Sequence, residues 1–249
     1  MNIYGQVGWR AAAAVNTSPT SNIVTSGLIL NLDAGNALSY PGTGTTWTDL
    51  SATGNNGTLT NGVGYTSSNG GALTFDGIND YINMGNNTAY NLTNISVSVW
   101  VKPTTGTPDY TPIISRYSSG ISNLQGWIIS YGVSTSKFQV VGRENSSNFL
   151  TFPSTNTYSI NNWYNITWTK SASTWSLYVN GVLDRTATIG NGAIAYLSNN
   201  MQIGGSFEWS PSDKYYGKQD IPAVNIYNRA LSQGEVTQNY NAIKTRFGL

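Results

Sequence analysis

The sequence contains no cysteine and no histidine, and only 9% of its 249 residues are charged. Without cysteine there are no disulfides, no thiolate nucleophiles and no sulfur-ligated metals. Without histidine the usual neutral-pH base and the commonest zinc ligand are missing too. Twelve basic residues stand against eleven acidic ones, so no sustained field of one sign exists, and neither nucleic acid nor an anionic membrane is expected as a partner. Long apolar runs are also lacking. The stretch Ala11 to Val15 follows Arg10, which sits where the core of a secretory signal should begin, and no segment approaches the roughly 20 apolar residues of a membrane span. We therefore expect no signal peptide, no membrane insertion, and folding in the cytoplasm of the producing cell.

The chain is rich in turn formers and aromatics instead: 27 Gly, 8 Trp and 16 Tyr, set among Ser, Thr and Asn. These are the materials of short strands joined by tight turns. Ser96 to Val101 places Val97, Val99 and Val101 on one face, which predicts a half-buried strand. Tyr164 to Trp168 repeats the pattern. Trp175 to Val179 runs into Asn180-Gly181, a strong hairpin signal, with Val182 to Thr188 as the returning partner. Further strands are predicted at Leu28 to Leu32, Ala72 to Phe75, Tyr81 to Met84, Ile113 to Arg116, Trp127 to Tyr131, Lys137 to Gly142, Met201 to Ile203 and Val224 to Tyr227. So many short strands make two packed sheets, an all-β antiparallel sandwich. After Ala230 the period changes to that of a helix: Leu231, Val236, Tyr240, Ile243 and Phe247 share a face, and Ser232 with Glu235 forms a capping box. One short helix over 231–246 should close the domain. Residues 1–26 differ in texture and read as an arm and linker, with Ile3, Tyr4, Val7, Trp9 and Arg10 as its contact residues. Residues 27–249 form one domain.

Several strings carry a family resemblance. Gly71 to Ile82, reading GALTFDGINDYI, resembles the signature of laminin G-like domains of the concanavalin A-like lectin/glucanase kind. In the family's order follow Ser98 to Pro103, Trp163-Tyr164, Leu177 to Gly181, and Ile226 to Ser232. The resemblance implies a two-sheet jelly-roll sandwich. Leu32 to Asn36, Thr46 to Ser51, Asn55 to Leu59, and Asn239 to Gly248 resemble the copies in structural proteins of tailed bacteriophages, cyanophages in particular. This implies a non-enzymatic virion component, a capsid decoration protein or a tail or fibre protein, present in many copies and assembled in the bacterial cytoplasm. The arm would join other virion proteins and the sandwich would face outward, stabilising the particle or adhering to glycans. The alternatives are a free carbohydrate-binding lectin and, further off, a glycan-cleaving enzyme.

The superfamily's glucanases carry a Glu-x-Asp-x-x-Glu strand, because retaining glycosidases need two carboxylates about 5 Å apart. This chain has only Glu144, Glu208 and Glu235, none of which begins that motif. Glu235 is accounted for as a cap, and the pair Glu208 with Asp213 is the remaining catalytic candidate. No cofactor is required by this reading. The functional reading of Asp76 and Asp80, which bracket Gly77, is an oxygen-ligand site for calcium, with Asp33, Asp49 and Asp220 as further ligands. The alternative for Asp76 is a hydrogen bond to its own turn, and Pro222 and Ala223 stand where calcium-binding members carry acids. A sugar or protein partner would be met by aromatic faces and a few fixed polar groups: Trp209, Tyr215, Tyr216, Tyr110, Tyr117, Arg116 and Arg143, with Trp127 more naturally in the core. If the arm is the anchor, deleting Met1 to Ser26 should leave a folded domain that no longer joins particles. Full occupancy by the truncated chain would contradict this.

Overall fold

The computed structural model describes residues 22–118, 125–145, 148–190, 192, 194–196, 200–207 and 214–249. Two antiparallel sheets pack face to face. With strands numbered along the chain, the first sheet holds β1 (Leu28–Asp33), β4 (Gly64–Thr66), β5 (Ala72–Asp76), β7 (Ile95–Pro103), β12 (Tyr164–Ser171), β13 (Thr174–Val179), β14 (Val182–Thr188) and β18 (Lys218–Tyr227). Its order is β14-β13-β12-β7-β18-β5-β4, and β1 pairs with the second half of β18 where β5 leaves off. The second sheet holds β2 (Thr46–Trp47), β3 (Gly57–Thr60), β6 (Tyr81–Asn83), β8 (Tyr110–Ser118), β9 (Gln125–Gly132), β10 (Lys137–Asn145), β11 (Asn148–Pro153) and β15 (Gln202–Ile203), in the order β11-β10-β9-β8-β15-β6-β3-β2. A separate hairpin, β16 (Gly205–Phe207) with β17 (Lys214–Tyr216), lies over β8, where the Ser115 hydroxyl donates to the Gly205 carbonyl at 2.8 Å.

The core follows from strand alternation, which sends every second side chain inward. Val97, Val99 and Val101 of β7 and Ile166 and Trp168 of β12 face Trp127, Ile129 and Tyr131 of β9 and Phe138 and Val140 of β10, all buried. Trp168 bridges the sheets: its ring lies 5.5 Å from Trp127 and 5.1 Å from Trp175. Each such side chain contributes about 1.5–3 kcal/mol by leaving water.

The strand predicted as half-buried is buried on both faces, because the C-terminal segment covers its outside. Helix α1 (Gln233–Ile243) and the 3₁₀ turn Lys244–Phe247 lie there. The Trp100 ring stacks on Tyr240 at 5.6 Å and on Phe247 at 4.4 Å. Ser96 donates to the Arg229 carbonyl and accepts from the Leu231 N–H, both at 2.8 Å. The capping box forms as expected. Arg229 grips the Glu235 carboxylate at 2.9 and 2.5 Å. That grip, helped by the Ser232 N–H, holds the Glu235 carboxyl down at about 2. The short strands β2, β3, β4, β16 and β17 went unpredicted, as did β11 at the far edge of the second sheet. They have little pattern of their own and form because neighbouring strands offer them partners.

The arm boundary also moves. The Val24 N–H donates to Asn239 Oδ1 at 2.8 Å, and the Val24 side chain is buried with Tyr227, Leu231 and Val236. Gln238 donates to the Asn22 carbonyl at 2.8 Å, and Arg229 donates to the Ser26 carbonyl at 3.1 Å. Residues 22–26 therefore belong to the sandwich, while Ile3, Tyr4, Val7, Trp9 and Arg10 lie outside the described residues. Asn239, which also donates to the Tyr227 hydroxyl at 3.0 Å, ties this stretch to the helix. Asn239→Ala should cost about 1–3 kcal/mol and lower the melting temperature by roughly 2–10 °C. The exposed neighbour variant Gln238→Ala should be near neutral, and equal effects in calorimetry would contradict the assignment.

Candidate functional site: a cleft on the outer face of the second sheet

The residues of β8 to β11 that alternate away from the core build a cleft of about 510 Å³ lined by Tyr110, Tyr117, Gln139, Val141, Arg143, Phe149 and Thr151. The register explains this set. Val141 pairs with Ile128 and Thr151, and Ile128 with Ser115. In the next outward row, Tyr117 pairs with Gly126, Gly126 with Arg143, and Arg143 with Phe149. Tyr117 and Arg143 are thus two strands apart with a glycine between them. Gly126 sits at φ +101°, and a Cβ there would come within 1.9 Å of the Arg116 carbonyl, so no side chain fills the gap. Across it the Arg143 Nε donates to the Tyr117 hydroxyl at 3.0 Å, and the guanidinium lies 4.3 Å from the Phe149 ring centroid. The result is a small floor of aromatic faces, one amide, one hydroxyl-bearing Thr and one guanidinium.

The predicted contact residues divide. Tyr110, Tyr117 and Arg143 come together in the cleft, and Tyr215 meets Tyr110 edge-on at 5.4 Å. Tyr216 goes to the other side of its strand, toward Tyr81 at 6.2 Å. Arg116 does not join them. It lies on the core side of β8, opposite Trp127, only 2% exposed, and donates to Asn91 Oδ1 at 2.9 and 2.6 Å and to Asn86 Oδ1 at 3.2 Å. Burial lowers its pKa. Trp127 is fully buried in the core as expected. Trp209, Glu208 and Asp213 lie outside the described residues. Gln139, Val141, Phe149 and Thr151 were not anticipated. The period-two run Lys137, Gln139, Val141, Arg143 carried the signal, but the predicted strand stopped at Gly142 and left Arg143 in a loop.

The five acids considered as calcium ligands are dispersed. Asp33 is paired with Arg246 at 2.7 Å and Asp220 with Lys102 at 2.7 Å. Asp49 caps the loop after β2. Burial would raise its pKa, but N–H groups of Asn31, Ser51 and Asn55 and the Ser51 hydroxyl hold it below the usual value. Asp76 accepts from the Ile78 N–H at 2.8 Å, the turn hydrogen bond named above as the alternative to a calcium site. Asp80 accepts from the Asp76 N–H at 3.2 Å, while its buried Oδ1 has no partner. No group of three acidic side chains gathers among the described residues.

Two antiparallel sheets packed face to face and closed by one short C-terminal helix define a β-sandwich of the jelly-roll class. A family model for the concanavalin A-like lectin/glucanases superfamily matches residues 75–237, more than half of the chain, and the chain belongs to that superfamily. No curated protein sequence matches it. Among solved structures it is similar to the binding domain of Paraclostridial Mosquitocidal Protein 1, at TM-score 0.68 and 18% identity over 87% of this chain and 52% of that one. Trypanosoma rangeli sialidase in complex with sialic acid matches at TM-score 0.67 and 15% identity over 90% of this chain and 34% of that one. Domain 4 of AbnA, an extracellular arabinanase of Geobacillus stearothermophilus, in complex with arabinotriose, matches at 0.64 and 16% over 87% and 100%. The chain thus spans about half of the first protein and about a third of the second.

Asp80 supplies a pH prediction. Burial first, then the charge of Asp76, raises its pKa. A carboxyl whose folded pKa is raised costs stability when ionised at neutral pH, and that cost vanishes as pH falls through the folded value toward the unfolded one. Asp80→Asn should therefore melt higher than the parent at pH 7, with the gap closing toward pH 4. A calcium-dependent rise in the parent's melting temperature that the variant lacks would show a metal site instead.

Proposed function

We propose that this chain is a non-enzymatic glycan-binding module whose sugar site is the cleft of β8 to β11. The observation that carries it is the joint placement of Tyr110, Tyr117 and Phe149 around Gln139, Thr151 and Arg143. Aromatic faces take the apolar side of a pyranose, and a few fixed polar groups take its hydroxyls. The arabinotriose complex of the AbnA domain, matched over its whole length, supports a sugar as the ligand class. Binding rather than hydrolysis is favoured because the described lining of the cleft includes no carboxylate, and glycoside cleavage needs a pair of them.

The particle setting is part of the proposal and is supported by the resemblance of Leu32 to Asn36, Thr46 to Ser51, Asn55 to Leu59 and Asn239 to Gly248 to phage structural proteins. Many displayed copies would turn millimolar contacts into useful adhesion. Its test is electron cryomicroscopy of the assembly, with truncation placed before residue 22 so that the sandwich is left intact.

The cleft itself is tested by filling it. Val141 is 5% exposed on the cleft floor, and Val141→Trp should abolish binding to glycans that the parent captures on a printed array. Removing one wall with Phe149→Ala should weaken binding about 5- to 10-fold. A parent protein that captures no glycan on the array would overturn the reading.

A further inference from the structure

We infer that the cleft selects acidic sugars, with the Arg143 guanidinium receiving the carboxylate of a hexuronic acid residue. This rests on the reading of the cleft as a glycan site. Arg143 is 8% exposed, and two contacts fix it: the Nε bond to Tyr117 at 3.0 Å and the stack on Phe149 at 4.3 Å. Those contacts hold the guanidinium plane before any ligand arrives, so little side-chain entropy remains to be lost on binding.

Among the described residues neither Nη nitrogen of Arg143 donates a hydrogen bond and no carboxylate lies within 4.0 Å of the guanidinium. Neither Nη is among the solvent-shielded polar atoms that lack a partner, and Arg143 is one of the residues that line the cleft. The contrast lies within the same molecule. Arg229 spends its fork on Glu235 and Arg246 pairs with Asp33, while an Arg116 Nη donates to Asn91 and Asn86 and an Arg185 Nη to the Pro153 carbonyl, so each of the other described guanidinium groups has an acceptor within the chain for at least one Nη. At Arg143 the chain supplies the cation, its orientation and an aromatic wall, and the ligand would supply the anion.

A carboxylate on a pyranose ring matches this arrangement. Its two oxygens meet the paired N–H donors of the fork, and such charge-assisted pairs are about twice as strong as neutral ones. The ring's apolar face would meet Tyr117 or Tyr110, and Gln139 and Thr151 are placed for its hydroxyls. A neutral hexose would offer the fork only a hydroxyl.

The test compares each acid with its own ester. Tetrasaccharides of galacturonate, glucuronate and mannuronate, and the methyl ester of each, are titrated into the full-length chain by calorimetry at low and high salt. At least one acid should bind about tenfold to a hundredfold tighter than its ester at low salt. Arg143→Gln should erase that ratio, and Arg143→Lys should keep only part of it, because an ammonium is a point charge without the fork. Equal binding of acid and ester by the parent overturns the inference even if Arg143→Gln fails to fold, and so does a preference that survives in Arg143→Gln. Tighter binding of a sulfated neutral tetrasaccharide than of every uronate overturns the carboxylate assignment. If neutral array glycans bind and Val141→Trp abolishes that, the sugar site stands and only the acid selectivity falls. If no glycan binds at all, both fall together.

Discussion

The contact between Trp175 and Gly142 sets the geometry on which the rest of the molecule depends. Trp175 belongs to β13 of one sheet and Gly142 to β10 of the other, and a Cβ at 142 would lie 2.5 Å from the indole Cη2. Only a glycine lets the indole seat against that backbone. Trp175 also packs on Trp168 and Phe152, so a continuous aromatic layer joins the sheets. Because strand side chains alternate, fixing Gly142 inward fixes Val141 and Arg143 outward. The floor of the cleft is thus positioned by a packing event on the opposite side of the same strand.

The charged residues are few, and most of the acids described do structural work. Asp49 gathers the loop after β2, and Asp184 accepts from the Tyr158 hydroxyl at 2.6 Å and the Asn156 amide at 2.9 Å, tying the loop after β11 to β14. Hydrogen bonds from those groups hold both pKa values below normal against the opposing effect of burial. Among cations, Lys170 is 1% exposed and spent on the carbonyls of Thr93 and Gly192. In a chain so economical with charge, an oriented guanidinium whose two Nη nitrogens meet no acceptor among the described residues is chemically conspicuous.

Much of this was legible in the order of residues. The period-two runs at Ser96 to Val101 and Tyr164 to Trp168, the Asn180-Gly181 turn and the Ser232/Glu235 cap each announce an element through local physics, and each element is present. Tyr110, Tyr117 and Arg143 could be picked out as residue types suited to a sugar, but so could Arg116, one residue from Tyr117. Adjacent residues on a strand point to opposite faces, and which face is the core depends on what the sheet packs against.

The sequence by itself determined the class: an all-β sandwich closed by one capped helix, built from aromatics and turn formers and short of charge. These are local or compositional properties, set by backbone preference and side-chain period. Only the tertiary structure decided that Arg143 faces outward over Gly126 while Arg116 faces inward, that Val24 packs on the helix, and that Phe149 walls a cleft. Each of these depends on a partner distant in the chain, and no local preference specifies which distant partner a residue meets.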